Sequence, residues 1–290
     1  MFCFAQQSLR RIEKRRLPPA LGLSKFSANQ SVRGDSNRSY PVLFLHGAWE
    51  DASSWTESAI YFADRGHTAA TLEFSGFLGD SYKEDAGVSL LTNELHEAIN
   101  QLGPLTIVVA PCLGGFIAQK YLESWGIAGL VLINPFPPDS SNLLRRIADV
   151  GPDEPFDTKA LLKFGHTGIL QSLVDKPRLT VAPEKLFSIS ATDESLNELL
   201  RKLRAPSVDL ILDIFQHPVK RKRQGIPTLV FQSSQDHIIT EEDMGLTLSF
   251  HDTDRLVALN DASHLFVLNS SNARRQLHEE IETWFRSRFY

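Results

Sequence analysis

The residues of this chain best suited to chemistry lie far apart in sequence. Cys112 stands in Val108-Val-Ala-Pro-Cys-Leu-Gly-Gly-Phe-Ile117, between a β-branched run and an apolar helical stretch. A strand that turns sharply into a helix at a nucleophilic side chain needs small neighbours, because the turn is crowded; such a nucleophile elbow commonly reads Gly-x-Ser-x-Gly. Here Ala110 replaces the first glycine, Cys112 replaces the serine, and Gly114 is in place. A thiol at a helix N-terminus meets free N–H groups and the positive end of the helix dipole, and both favour a thiolate. A neighbouring His can take its proton. Taken alone, Cys112 could equally be a small buried hydrophobe, as most free cysteines are. Its company argues otherwise. Asp236 follows the apolar run 227–232, and His264 follows the run 255–259. A nucleophile, an acid and a His in that chain order can perform covalent acyl transfer: the His accepts the thiol proton, and the acid orients the imidazole. Asp236 has a rival role as a helix cap, although Thr240 or Glu241 would serve there. Asp261 lies too close to His264 in the same loop to be the first choice.

These three residues need a scaffold that brings distant loops together, and the hydrophobic pattern supplies one. Pro41–Leu45 is a continuous apolar run ending at His46-Gly47, which predicts a buried strand and a turn. Ser53 or Ser54 is expected to cap a helix reaching about Arg65, with Gly66 ending it. Further strands are expected at 68–74, 105–110, 127–133, 227–232 and 255–259. Helices are expected at 85–101, 114–124, 241–250 and from about 272, the last burying Trp284 and Phe285. Apolar strands alternating with helices predict an α/β fold, a mostly parallel sheet covered on both faces. Functional groups then gather at the carboxyl ends of the strands. The rhythm breaks across 137–222, where helical segments are expected at 143–149, 159–174, 194–203 and 207–216, with no convincing strand. One domain, 41–290, with a helical insertion is the expected organisation.

Over residues 41–288 the sequence resembles the α/β-hydrolase superfamily. His46-Gly47-Ala48-Trp49, with Trp55 and Gly66-His67 downstream, is closest to the small-ester hydrolase and hydroxynitrile lyase branch, and the chain likewise enters the sheet directly at the His-Gly strand. The Cys-Leu-Gly-Gly run is similar to dienelactone hydrolases, which use a Cys nucleophile. The resemblance implies that Cys112 is the nucleophile, His264 the general base and acid, and Asp236 its orienting partner. It makes the backbone N–H groups of Ala48 and Leu113 the oxyanion hole, and the insertion at 137–222 a helical cap. His46 is expected to be structural, its ring holding the oxyanion loop. Trp49, Trp55, Phe77 and Phe136 line a pocket or belong to the core, and Trp49 is the pocket choice. The expected activity is hydrolysis of small to medium carboxylic esters, thioesters or lactones, with no cofactor. Acyl transfer on the same scaffold, or an inactive binding protein marked by the drift at Ala110, Pro111 and Cys112, are the alternatives.

Charge divides the 290 residues in two. Residues 1–40 hold eight Lys/Arg against two Asp/Glu, a net +6, while the whole chain sums to −5, leaving −11 on the body. An acidic body removes the general case for nucleic-acid binding. The start, rich in Arg and Ser and poor in acids, is expected to be a disordered basic leader. It reads as an organellar transit peptide, mitochondrion ahead of plastid, with the cytoplasm as the alternative. No stretch is long and apolar enough for stable membrane insertion. No His spacing suggests a metal site, and none is expected. Two cysteines, Cys3 and Cys112, leave the body one thiol and no disulfide framework. The expected partner is a small-molecule acyl substrate; the oligomeric state has no signature.

Overall fold

The computed structural model describes residues 23–26, 40–75, 87–156, 172–173, 176–177, 186–187, 203–204 and 206–290. Short β-branched and Leu-rich runs form the strands β2 (Val42–Leu45), β3 (Ala69–Leu72), β4 (Ile107–Pro111), β5 (Gly129–Ile133), β8 (Thr228–Gln235) and β9 (Arg255–Ser263). They pair in parallel in the order β3-β2-β4-β5-β8-β9. Alternate residues along each strand point to opposite faces. Leu43, Leu45, Val108, Ala110, Leu130, Leu132 and Val230 join one buried cluster. Val42, Phe44, Ile107, Val109, Val131, Ile133, Leu229 and Phe231 join the other. Both faces are therefore apolar, and each must be covered by helices.

The helices α2 (Val88–Leu102) and α3 (Cys112–Tyr121) cover the first face. Burial of Val88, Leu91, Leu95, Ala98 and Ile99 on α2 follows the helical period read from the sequence. The second face is covered by α1 (Thr56–Ala63) and α8 (Ser271–Arg288), whose Phe62, Trp284 and Phe285 pack together. Between them in the chain lie α6 (Glu241–Phe250) and the short α7 (Phe266–Asn269). Within the insertion, α4 (Ser141–Ala148) and α5 (Val208–Gln216) bury apolar faces against the first cluster. Among the described residues no helix is long and apolar enough to cross a membrane.

Three details differ from the sequence expectation. Leu23–Phe26, inside the stretch read as leader, forms strand β1 and pairs antiparallel with β3, so the chain does not enter the sheet at β2. An edge strand is held by ladder hydrogen bonds on one side only and tolerates Ser and Lys, so it leaves no apolar signature. Asp51, rather than Ser53 or Ser54, caps the first turn of the segment before α1, accepting the Ser53 N–H. A two-residue antiparallel ladder, β6 (Ser172–Leu173) with β7 (Lys176–Pro177), ends the stretch expected to be helical to 174. The helices expected at 159–171 and 194–202, and the leader apart from Leu23–Phe26 and Tyr40, lie outside the described residues.

One packing constraint fixes how α3 meets the sheet. A Cβ on Gly114 would lie 2.4 Å from the carbonyl oxygen of His46 and 3.2 Å from Leu45 Cβ. Backbone cannot yield there as a flexible side chain would. Gly114→Ala should therefore lower the melting temperature, at or above the upper end of the roughly 1–3 kcal/mol typical of overpacking. A melting curve matching the unsubstituted protein would disprove this crossing.

Candidate active site

β4 delivers the chain to the site in extended conformation, and α3 begins on the candidate nucleophile itself. Cys112 has φ +45°, in the left-handed region that non-glycine residues seldom adopt. Such a conformation costs on the order of 1–3 kcal/mol and persists only where the surroundings impose it. Here the imposition comes from both sides: the Cys112 carbonyl accepts the Phe136 N–H at 2.9 Å, and Gly114 abuts β2. The first N–H groups of α3, among them that of Leu113, receive no side-chain cap. Cys112 is free and buried.

Asp236 and His264 stand at the ends of β8 and β9, which run longer than the sequence suggested and shift register between Ser233 and Gln235. His264 Nδ1 meets Asp236 Oδ2 at 2.8 Å, with both side chains almost fully buried. The other Asp236 oxygen accepts the Ile238 and Ile239 N–H groups at 2.7 and 2.9 Å, which fixes the carboxylate. Capping of α6 falls instead to Thr240, which forms a capping box with Asp243. Burial is the largest influence on His264 and works against its protonation. The charges of Asp236 and Cys112 outweigh it and hold the imidazole pKa well above its ordinary value. His264 Nε2 lies beside Cys112 and lacks a hydrogen bond of good geometry.

The turn after β2 passes directly over the thiol. A Cβ on Gly47 would lie 2.8 Å from Cys112 Cβ. His46 braces this turn. Its pKa is lowered to about 4, chiefly by burial, so the ring is neutral at pH 7. Nε2 accepts the Phe74 N–H at 3.1 Å, leaving Nδ1 to donate to the Gly47 carbonyl at 2.9 Å. In a trans peptide the N–H points opposite to the C=O, so this bond turns the Ala48 N–H the other way. Trp49, at φ +66°, buries its ring edge-on to His264 at 6.1 Å between centroids. The insertion is tied to both loops. Arg204 donates its N–H to the Trp49 carbonyl and pairs with Asp51 at 3.1 Å, while Leu265 donates to the Leu186 carbonyl.

A family model described as "Alpha/beta hydrolase family" matches residues 42–277. The chain belongs to the α/β-hydrolase family. Solved structures at low identity share its fold. An esterase from Exiguobacterium antarcticum superimposes with a TM-score of 0.62 at 16% identity, covering 91% of this chain and 94% of that one. The monoacylglycerol lipase of Paleococcus ferrophilus gives 0.62 at 17% identity, covering 92% and 98%. Tomato methylketone synthase I, solved with 2-tridecanone, gives 0.62 at 17%, covering 87% and 99%. No curated protein matches the chain. At such identities the likeness is one of fold.

Within this α/β-hydrolase, the structure brings together Cys112, Asp236, His264, Ala48, Leu113 and Trp49. Trp55 instead packs in the core against Phe44, Phe136 is also buried, and Phe77 lies outside the described residues. Among the described residues no group of three or more His, Cys, Asp or Glu could hold a metal ion. Sequence reasoning passed over Glu50. It is 2% exposed, and its Oε2 accepts the Gly47 N–H at 2.9 Å. Burial pushes its pKa up to about 7, against the Gly47 N–H, the His264 charge and the nearby Trp55 indole, which lower it; Asp51 raises it further. The Trp55 N–H stays outside hydrogen-bond geometry. Nothing in the sequence marked it out, because its burial comes from residues distant in the chain.

Glu50 should make stability fall with rising pH. The folded chain keeps the Glu50 proton up to about pH 7, whereas the unfolded chain releases it near 4.5. The folded state thus binds more protons between those values, and stability is lost as pH rises through them, on the order of 3 kcal/mol in all. Glu50→Gln should melt above the unsubstituted protein at pH 8 and level with it at pH 4. Equal melting temperatures at both pH values would contradict the buried acid.

Proposed function

We propose that this chain hydrolyses small to medium carboxylic esters, thioesters or lactones through Cys112, His264 and Asp236. The observation that carries the reading is the 2.8 Å contact between His264 Nδ1 and Asp236 Oδ2, with Nε2 turned to a thiol at the strained head of α3. A binding module has no use for a buried, oriented imidazole beside a buried thiol, and leaving Nε2 without a good partner has a cost.

In this reading the Cys112 proton passes to His264 Nε2, whose raised pKa favours holding it, and Sγ then bonds to the substrate carbonyl carbon. The carbonyl π electrons move to oxygen, and the oxyanion accepts hydrogen bonds from the Ala48 and Leu113 N–H groups, each worth about 3 kcal/mol in comparable sites. Asp236 stabilises the imidazolium and keeps the ring in register. Collapse of the tetrahedral species breaks the bond to the leaving oxygen or sulfur, which takes the proton from Nε2. Water then attacks the acyl-cysteine, giving a proton to His264, and the second collapse returns it to Sγ as the acid departs. No step calls on a further group. Trp49 offers an apolar wall beside His264 for the acyl chain, and the basic leader is proposed to address the protein to an organelle.

The test is a panel of short-chain p-nitrophenyl esters, thioesters and lactones assayed at pH 8. Cys112→Ala and His264→Ala should each lose at least 1000-fold in kcat, and Asp236→Asn about 100-fold or more, with folding intact by circular dichroism. Turnover that requires an added alcohol or amine would mark the chain as an acyltransferase. Full activity in Cys112→Ala would refute the cysteine mechanism.

A further inference from the structure

Glu50 is a buried acid that the scheme above does not use. Its carboxyl lies inside the turn that covers Cys112: Oε2 takes the Gly47 N–H and would sit 3.1 Å from a Gly47 Cβ, a point itself 3.5 Å from Cys112 Sγ. Among the described residues, Asp51, itself engaged by Arg204, and His264, across the thiol, are the charged groups that act on it; Glu73, just after β3, accepts the Ala52 N–H at 2.6 Å. Protonated His264 is thus the cation that acts on Glu50 from within the site.

We propose that Glu50 is a positioning residue for catalysis. Its carboxylate holds the turn that presents the Ala48 N–H, and its charge stabilises the His264 imidazolium formed when Cys112 gives up its proton. The proposal deepens the cysteine-hydrolase reading and rests on it. Two hydrogen bonds fix the peptides on either side of Gly47. His46 Nδ1 takes the carbonyl of one, and Glu50 Oε2 takes the N–H of the other. Removing either frees the turn to rotate. The electrostatic part follows from reciprocity: the imidazolium draws the Glu50 pKa down, so ionised Glu50 must draw that of His264 up by the same free energy. In the reacting site one proton passes from Sγ to Nε2. Glu50 has already released its own to solvent, and its charge favours the side of that transfer on which His264 is positive. With Glu50 neutral the help is lost.

Two variants separate the parts. Glu50→Gln keeps an oxygen for the Gly47 N–H and loses the charge; Glu50→Ala loses both. With p-nitrophenyl butyrate, kcat should fall about tenfold in Glu50→Gln and about 100-fold in Glu50→Ala, the range typical of residues that orient reacting groups, with KM within about twofold. The wild-type kcat/KM profile should carry an acidic limb near pH 7 from Glu50 that disappears in Glu50→Gln. A readout free of turnover is the ¹⁵N NMR titration of His264, whose midpoint should move down in Glu50→Gln. An unchanged His264 midpoint overturns the proposal, as does a Glu50→Gln variant with wild-type kcat and pH profile. If the wild type shows no hydrolysis yet the midpoint still falls, the hydrolase reading fails while the electrostatic role of Glu50 stands. If hydrolysis depends on Cys112 and Glu50→Gln changes nothing, Glu50 alone is wrongly placed.

Discussion

Two backbones meet at the carboxyl edge of the sheet, and the geometry of the site depends on that contact. The turn after β2 and the first turn of α3 approach until a Cβ at Gly114 would strike the His46 carbonyl and one at Gly47 would strike Cys112. Only glycine fits at either position. The approach holds Cys112 at positive φ, directs its side chain out of the turn, and sets the Ala48 peptide beside it. His46 and Glu50 then hold the two faces of the turn by one hydrogen bond each. None of these contacts is large. Their effect comes from convergence on five consecutive residues, 46–50.

Around that contact the protein concentrates charge where water is excluded. Asp236 and His264 are nearly fully buried and satisfy one another, and Asp236 is further held by two backbone N–H groups. A buried ion pair adds little net stability, but it fixes geometry and retains a strong field. Asp236 and His264 each directly follow the last residue of a strand, β8 and β9, whose ladder ends at Gln235 and Ser263, so the pair sits at the edge of the sheet. Two described residues of the insertion meet the loops that flank the thiol: Arg204 donates its N–H to the Trp49 carbonyl, and Leu186 accepts that of Leu265. A chain that invests buried charge, a strained cysteine and a buried acid at one place forgoes stability there, which is the usual mark of function.

Much of this was legible in the sequence because it follows from periodicity and from turn chemistry. The parallel strands were visible as unbroken apolar runs, since both faces of the sheet are buried and leave no polar alternation to blur them. Cys112, Asp236 and His264 stood out because each follows such a run. His46 was readable as a brace from its place before Gly47. What stayed hidden depended on contacts distant in sequence. Strand β1 is specified by its partner β3 and by ladder bonds, not by its own four residues. The Asp51 cap was masked by two serines better placed on paper. Glu50 looked like an ordinary loop acid until the fold closed over it, for desolvation is a property of the neighbours and not of the residue.

In the proposed reaction, Sγ of Cys112 carries an acyl group during turnover. Acid-quenching the protein within milliseconds of mixing with an activated ester, followed by intact-mass and peptide mass spectrometry, reads this directly. One acyl group per chain is expected, on the peptide containing Cys112, and none in Cys112→Ala. An acyl group on any other residue, or steady hydrolysis without an adduct at Cys112, would contradict it.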